Sequence, residues 1–315
     1  MCLSVICLFP INFMKNLIPA FISIFLMTIS IFGQANISEA NYRIYDKQGN
    51  ASSLEKIIES LKDADVVFLG ENHDDAAAHY LQNEIFRRAF EKHGKERAVA
   101  LSLEMFERDV QTIVDEYLKD LISENHFLLS ARPWGNYKTD YKPLVDFAKT
   151  SKLKVIAANA PRRYVNMVSR SGRESLNQLS PEARRWLAPL PYGEASDAYA
   201  KKFNALMGQN SDSITPVKHS PMLNAQALWD ATMAFSIAEY LKRAKNPLVV
   251  HLNGAFHTEN RLGTPEHLLK YAPKTRFLVV TMRYEENFTN FDKSKHLDLG
   301  DFVILTDAKV PRSKR

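Results

Sequence analysis

The sequence predicts an α/β fold: a mostly parallel central sheet flanked by helices, with an all-helical subdomain inserted between two strands. Short β-branched runs alternate with amphipathic stretches along most of the chain, the pattern of βα units. From Pro161 to Ala244 the alternation stops and no stretch suits a strand. The 315 residues, 45% hydrophobic and 24% charged, suffice for a large globular core.

Taken in chain order, Lys15-Asn16 precedes an apolar run, Leu17–Phe32, broken only by Pro19, Ser23, Thr28 and Ser30 and followed by Gly33-Gln34-Ala35. Positive start, apolar stretch and small-residue site predict a secretory signal peptide over residues 1–35, with Met14 as a plausible start. An uncleaved N-terminal anchor is the other reading. Cys2 and Cys7 both precede the run, so the folded part is cysteine-free, and no cysteine follows at a lipoprotein-type position. The expected location is outside the cytoplasmic membrane, periplasmic or membrane-associated.

Strands are expected at Tyr42–Tyr45, Val66–Leu69, Val99–Leu103, Lys154–Ala157, Leu248–Leu252, Phe277–Met282 and Phe302–Leu305. Most are continuous apolar runs, which a strand needs when helices cover both faces; the last is expected at an edge. Helical spacing marks Leu54–Leu61, Ala76–His93, Val110–Leu118, Tyr141–Lys149 and His267–Tyr271 as crossovers. Prolines punctuate the helical stretch, whose clearest helices are Ala195–Met207 and Asn224–Ala244. The organisation expected is a core of residues 36–160 and 245–310 with an insertion at 161–244, placed as a lid or wall over the site.

In an open parallel sheet, ligands bind beyond the carboxyl ends of the strands. After the second strand stands Gly70-Glu71-Asn72-His73, then Asp74-Asp75; after the third, Glu104; after the fourth, Asn159, Pro161, Arg162 and Arg163; in the fifth region, His251 to His257. Asn159, Gly254 and Asp74 suit ordinary turn chemistry. Glu71, His73 and Glu104 do not, and an unpaired carboxylate beside an apolar strand is costly. Glu71, His73, Glu104 and His257 are therefore the candidate polar site. They could bind a divalent metal. Without metal, His73 could serve as general base oriented by Glu71 or Glu104. His79, His93, His126, His267 and His296 fall on helix faces or loops and read as structural.

The helical stretch adds Tyr192, Tyr199, His219, Gln226, Trp229 and Asp230. Tyrosine is a known haem-iron ligand, and a helical wall over an apolar cavity suits a porphyrin. Tyr199 and Phe203, at i and i+4, would equally pack as a core stripe. Arg162, Arg163, Lys201 and Lys202 could pair with propionates or form a solvated face. Lys+Arg 41 against Asp+Glu 36 gives +5, spread out except at Lys309–Arg315, which argues against a nucleic-acid partner.

Gly70-Glu71-Asn72-His73, Glu104, Gln226-Ala227-Leu228-Trp229-Asp230 with Ala231-Thr232-Met233-Ala234, and Asn253-Gly254-Ala255-Phe256-His257 followed by Gly263-Thr264-Pro265 resemble the ChaN family, a branch of the haem-binding-uptake and Tiki superfamily. The resemblance spans roughly Ala51 to Val280. It implies an exported protein of haem or iron acquisition, with haem between two subunits, a tyrosine on the iron, polar residues on the propionates, and an outer-membrane uptake partner. Tyr199 is the expected ligand and Tyr192 the reserve, with Arg162 and His219 as further haem contacts. Tiki proteases and erythromycin esterases, related branches, use the matching positions for hydrolysis, so an esterase or peptidase built on Glu71, His73, Glu104 and His257 is the alternative. The missing lipidated cysteine departs from the ChaN lipoproteins and puts surface anchoring in doubt.

Overall fold

The computed structural model describes residues 37–208 and 220–314. Its strands are β1 (Tyr42–Asp46), β2 (Val66–Glu71), β3 (Ala98–Glu107), β4 (Lys154–Asn159), β5 (Pro247–Gly254), β6 (Phe277–Glu285) and β7 (Phe302–Asp307). They form one sheet in the order β1-β7-β6-β2-β5-β3-β4. Every pairing is parallel except β1 with β7. The α/β expectation holds. The signal-peptide reading of residues 1–35 lies outside the described residues.

The helices are α1 (Leu54–Ser60), α2 (Ala76–His93), α3 (Gln111–Leu118), α4 (Glu124–Ala131), α5 (Lys142–Thr150), α6 (Arg162–Ser171), α7 (Pro181–Arg184), α8 (Asp197–Leu206), α9 (Pro221–Arg243), α10 (Thr264–Tyr271) and α11 (Lys293–His296). Because side chains alternate across a strand, the buried runs feed both layers. Val67, Leu69, Leu101 and Val155 face Ile57, Leu81, Ile85, Phe86 and Val145 of α1, α2 and α5. Val66, Phe68, Ala100 and Ile156 face Met233, Ala234, Ile237 and Leu268 of α9 and α10. Each such large side chain contributes roughly 1.5–3 kcal/mol on burial. This two-sided cover explains why β2 is buried along its whole length.

Between β4 and β5 the described residues carry helices α6 to α9 and no strand. α9 begins where Ser220 accepts the amide of Leu223 at 3.1 Å, with Pro221 in the first turn, where its missing N–H costs nothing. Its buried Ala225, Ala227, Ala231, Ala234 and Ala238 let neighbouring elements approach closely. A further apolar layer joins Val165 and Val168 of α6 to Leu187, Tyr192 and Leu228.

β7 was expected at an edge but lies one strand in, because β1 returns antiparallel along it, from Tyr42↔Thr306 to Asp46↔Phe302. The actual edges are β1 and β4. On β4, Gln111 occupies the open side: its Nε2 donates to Val155 O at 2.9 Å and its Oε1 accepts from Ala157 N at 2.8 Å. One side chain thus supplies the donor and acceptor that a further strand would bring.

Candidate ligand-binding site

β5 is inserted between β2 and β3, although β2 and β3 are consecutive in the chain. That order sets the ends of β2, β5 and β3 side by side, with Glu71 opposite Gly254. The register of β3 against β4 shifts between Leu103 and Glu107, an irregularity that spans Glu104. Such breaks commonly re-aim a side chain beside a site. A cavity of about 410 Å3 opens over these ends, lined by His73, Glu104, Glu107, Trp134, Asn159, Arg162, Trp229 and His257 among others. Its size falls within the ~300–1,000 Å3 of small-molecule sites.

On one wall, His73 Nδ1 lies 2.9 Å from Glu71 Oε1. The His73 side chain is 28% exposed, and its ring meets Trp134 edge-on at 4.8 Å between centroids. Nε2 has no hydrogen-bond partner among the described residues, so it is the nitrogen left for the cavity. A methyl group added at Gly254 would stand 2.8 Å from both Cε1 and Nε2 of His73, so only glycine leaves room for this ring.

Glu71 does not face the cavity. It is buried behind His73, where Gln82 Nε2 donates to its Oε2 at 2.7 Å and the Tyr141 hydroxyl donates to its Oε1. His79 Nδ1 lies 3.3 Å from Oε2. Burial by itself opposes the Glu71 charge, but His79 and His73 outweigh it and hold the carboxyl well below the usual range. Burial opposes charge on His79 too; Glu71, then Asp140, overcomes it and pushes the imidazole up to about 9. The pair is a buried carboxylate facing an imidazolium.

Also at the cavity, His257 Nδ1 lies 2.8 Å from Asp230 Oδ1, and His257 Nε2 is 3.7 Å from Glu104 Oε1. The second oxygen of Glu104 accepts the amide of Gly254 at 2.7 Å. Asp230, wholly buried on α9, also accepts from Thr264 Oγ1 at 2.8 Å and from the Tyr199 hydroxyl. Burial disfavours the charged His257, yet Asp230 and Glu104 prevail and raise its pKa to about 9.

The structure therefore brings together three of the four strand-end candidates, His73, Glu104 and His257, at one cavity, with Glu71 supporting His73 from behind. As a metal site the quartet is corrected. Among the described residues no group of three or more His, Cys, Asp or Glu side chains is arranged to hold an ion. The physical reason is that the Glu71 oxygens are already committed to four side chains and cannot turn toward a shared centre.

Both candidate tyrosines lie in the interior and not among the residues lining the cavity. Tyr199 is 1% exposed and its hydroxyl is spent on Asp230; Tyr192 is 3% exposed and its hydroxyl donates to Asn224 O at 2.8 Å. Burial comes first among the causes that raise both phenol pKa values, and Asp230 raises Tyr199 further, so neither is poised as a phenolate. His219 lies outside the described residues. Arg162 stands exposed at the cavity rim and makes no hydrogen bond or ion pair among the described residues. Arg163 is instead paired with Asp109, and Lys202 binds Phe256 O at 2.9 Å. His251, expected near the site, is interior to β5, bonded to Ser102 Oγ at 2.8 Å.

A family model described as haem-binding uptake, Tiki superfamily, ChaN matches residues 57–268. The chain belongs to the ChaN family. Among solved structures it is similar to the ChaN of Campylobacter jejuni with cofacial heme binding, at 21% identity and a TM-score of 0.62, covering 86% of this chain and 98% of that one. At that identity the likeness shows the fold. Protein RETICULATA-RELATED 5, chloroplastic, of Arabidopsis thaliana is 26% identical over 292 residues, or 85% of this chain. The chain spans only 38% of that curated relative. An erythromycin esterase structure is matched at 11% identity over 84% of this chain and 83% of that one, with a TM-score of 0.43, too low to carry an argument.

For a ChaN chain, the residues at the cavity fit a porphyrin by their own chemistry. Two indoles, Trp134 and Trp229, line the cavity, Arg162 offers a guanidinium unpaired among the described residues, and His73 Nε2 offers a nitrogen whose ring is already hydrogen-bonded to Glu71. An imidazole held through its other nitrogen by a carboxylate is the usual setting of a metal-ligating histidine. Sequence reading passed over several supporting residues: Trp134, Asn136, Tyr141 and His79. His79 was legible only as one of several histidines on helix faces or loops, Trp134 and Asn136 lie in the connection after α4, which carries no motif, and Tyr141 was read only as the start of the helix Tyr141–Lys149.

Proposed function

We propose that this chain binds haem in the cavity at the ends of β2, β3 and β5, and serves in haem or iron acquisition after export. The observation that supports this most directly is the convergence of His73 Nε2, Arg162, Trp134 and Trp229 on one cavity in a member of the haem-binding-uptake family. Bound haem would supply an iron centre and a broad apolar ring with two carboxylates. His73 would face the iron, held in orientation by Glu71, and Arg162 would pair with a propionate. The open side of the cavity leaves room for a second subunit, and a dimer enclosing haem is part of the proposal. Export rests on the signal-like pattern of residues 15–35.

A second reading has its own observation. Two imidazole–carboxylate pairs, His73 with Glu71 and His257 with Asp230, present their imidazoles to one cavity that Glu104 also lines. In a hydrolase, His73 Nε2 would take a proton from water while the protonated His257 stabilised developing negative charge. The test is a haem titration of the purified chain followed by absorbance, repeated with His73→Ala, Arg162→Ala and Tyr199→Phe, beside assays on ester and peptide substrates. Saturable binding altered by His73→Ala and unaltered by Tyr199→Phe supports the haem reading. Absence of saturable binding, with hydrolysis abolished by His73→Ala, would replace it with the second.

A further inference from the structure

The chain continues past β7 and turns back over the loop that carries His73. Ser313 N donates to Asp74 O at 2.9 Å, and Ser313 Oγ donates to Asp140 Oδ1 at 2.8 Å. The other oxygen of Asp140 accepts from Asn136 Nδ2 at 2.6 Å and lies 3.3 Å from His79 Nε2. Asn136 and His79 in turn reach the same atom, the carbonyl oxygen of His73, at 3.0 and 3.1 Å. Arg312 lies over the Tyr284 ring, 3.3 Å from its centroid, with its guanidinium 4.0 Å from Asp75, the residue that caps α2 through the amides of Ala77 and Ala78.

We propose that Arg312 and Ser313 form a strap that positions His73, gripping its loop both at Asp74 and through Asp140, Asn136 and His79. Ser313 is a positioning residue: it touches nothing in the cavity. The physical case is one of uneven support. His73 lies beyond the end of β2, where strand pairing no longer fixes the backbone. Its ring makes one hydrogen bond among the described residues, to Glu71, and packs edge-on against Trp134, so the angle at which Nε2 enters the cavity also depends on where its backbone is held. The two bonds to its carbonyl supply that hold, and both belong to groups that converge on Asp140. Without the Ser313 hydroxyl Asp140 loses a donor, and without the backbone at Ser313 the carbonyl of Asp74 loses the amide that holds it.

The inference rests on His73 being the cavity nitrogen of the reading above, but its first readout does not involve haem. Ser313→Ala, Ser313→Thr and a chain shortened after Lys309 would be compared with the full chain by hydrogen exchange and by imidazole nitrogen NMR. Expected for Ser313→Ala is exchange about tenfold faster across residues 72–75, unchanged exchange in β5, and a shifted His73 ring signal, with Ser313→Thr restoring both. If the shortened chain does not fold, Ser313→Ala decides alone. Exchange within about twofold of the full chain across residues 72–75, with an unmoved His73 signal, would overturn the strap. Haem titration of the same variants separates the two readings. Faster exchange with no haem binding in any chain keeps the strap and removes the haem reading, whereas unchanged exchange with intact haem binding does the reverse.

Discussion

Asp230 and His257 form a buried pair, 2.8 Å apart, in which α9 supplies the carboxylate and the turn after β5 the imidazole. The pair locks the helical layer to the end of the sheet at the cavity wall. It also holds a positive charge there at neutral pH, because the pKa of His257 is raised to about 9.

That shift gives stability a definite pH dependence. A group whose folded pKa exceeds its ordinary value of 6.5 stabilises the fold fully below about 6.5 and loses the contribution as pH rises through about 9. Asp230→Asn is expected to lower the His257 pKa and cost ~3–5 kcal/mol at about pH 6, the usual cost of orphaning a buried charge. The gap between variant and parent should shrink at about pH 10. Urea unfolding at both pH values, with NMR titration of His257, checks this; an equal gap at both would count against it.

Glu71 runs in the opposite sense. Its folded pKa lies well below the ordinary 4.5, so its contribution is present above about 4.5 and is lost as pH falls below it. Glu71→Gln should leave the His79 imidazolium without its main counter-charge and loosen His73. The expected outcome is a loss of ~3–5 kcal/mol at neutral pH and a stability that depends less steeply on pH below about 4.5. Circular dichroism along an acid titration reads both.

Gly254→Ala places a methyl group into the His73 ring and should force that ring outward. Overpacking of this kind costs ~1–3 kcal/mol. Haem affinity should fall by about tenfold or more, since ligand orientation is disturbed, while a spectrum identical to the parent's would show that His73 lies away from the iron.

Tyr199→Phe removes the donor on Asp230 Oδ2 and leaves a buried carboxylate oxygen short of a partner. A stability loss of ~1–3 kcal/mol is expected, with no change in the haem spectrum. A changed spectrum with unchanged stability would restore the tyrosine to the iron.

Gln111→Leu uncovers the edge of β4 by removing both bonds that close it. Concentration-dependent association on size-exclusion chromatography is expected, together with a loss of ~1–3 kcal/mol for the unsatisfied backbone groups. A profile unchanged from the parent's at every concentration would show that the edge is protected by other means.

Several features were legible in the sequence for a physical reason. Short apolar runs rich in β-branched residues, such as Val66–Leu69 and Leu248–Val250, suit strands covered on both faces, and the residues that follow them stand at the ligand-binding edge. Glu71, His73, Glu104 and His257 were marked this way, and the first of these turned out to face away from the cavity because Gln82, His79 and Tyr141 claim its oxygens. The Tyr141–Lys149 stretch read as one amphipathic helix, yet Tyr141 ends a π-helical segment, Tyr137–Tyr141, that leads into α5, and from there its hydroxyl reaches Glu71.

The α/β class, the family motif and the residue types that meet at the sheet's end follow from the order of residues, because strand and helix periodicity are short-range consequences of backbone geometry. The insertion of β5 between β2 and β3, the bond of the Tyr199 hydroxyl to Asp230 and the closure of Ser313 on Asp140 arise instead from the assembled fold. Those outcomes depend on which distant groups become neighbours, and a buried polar atom takes whatever partner the assembled fold sets beside it.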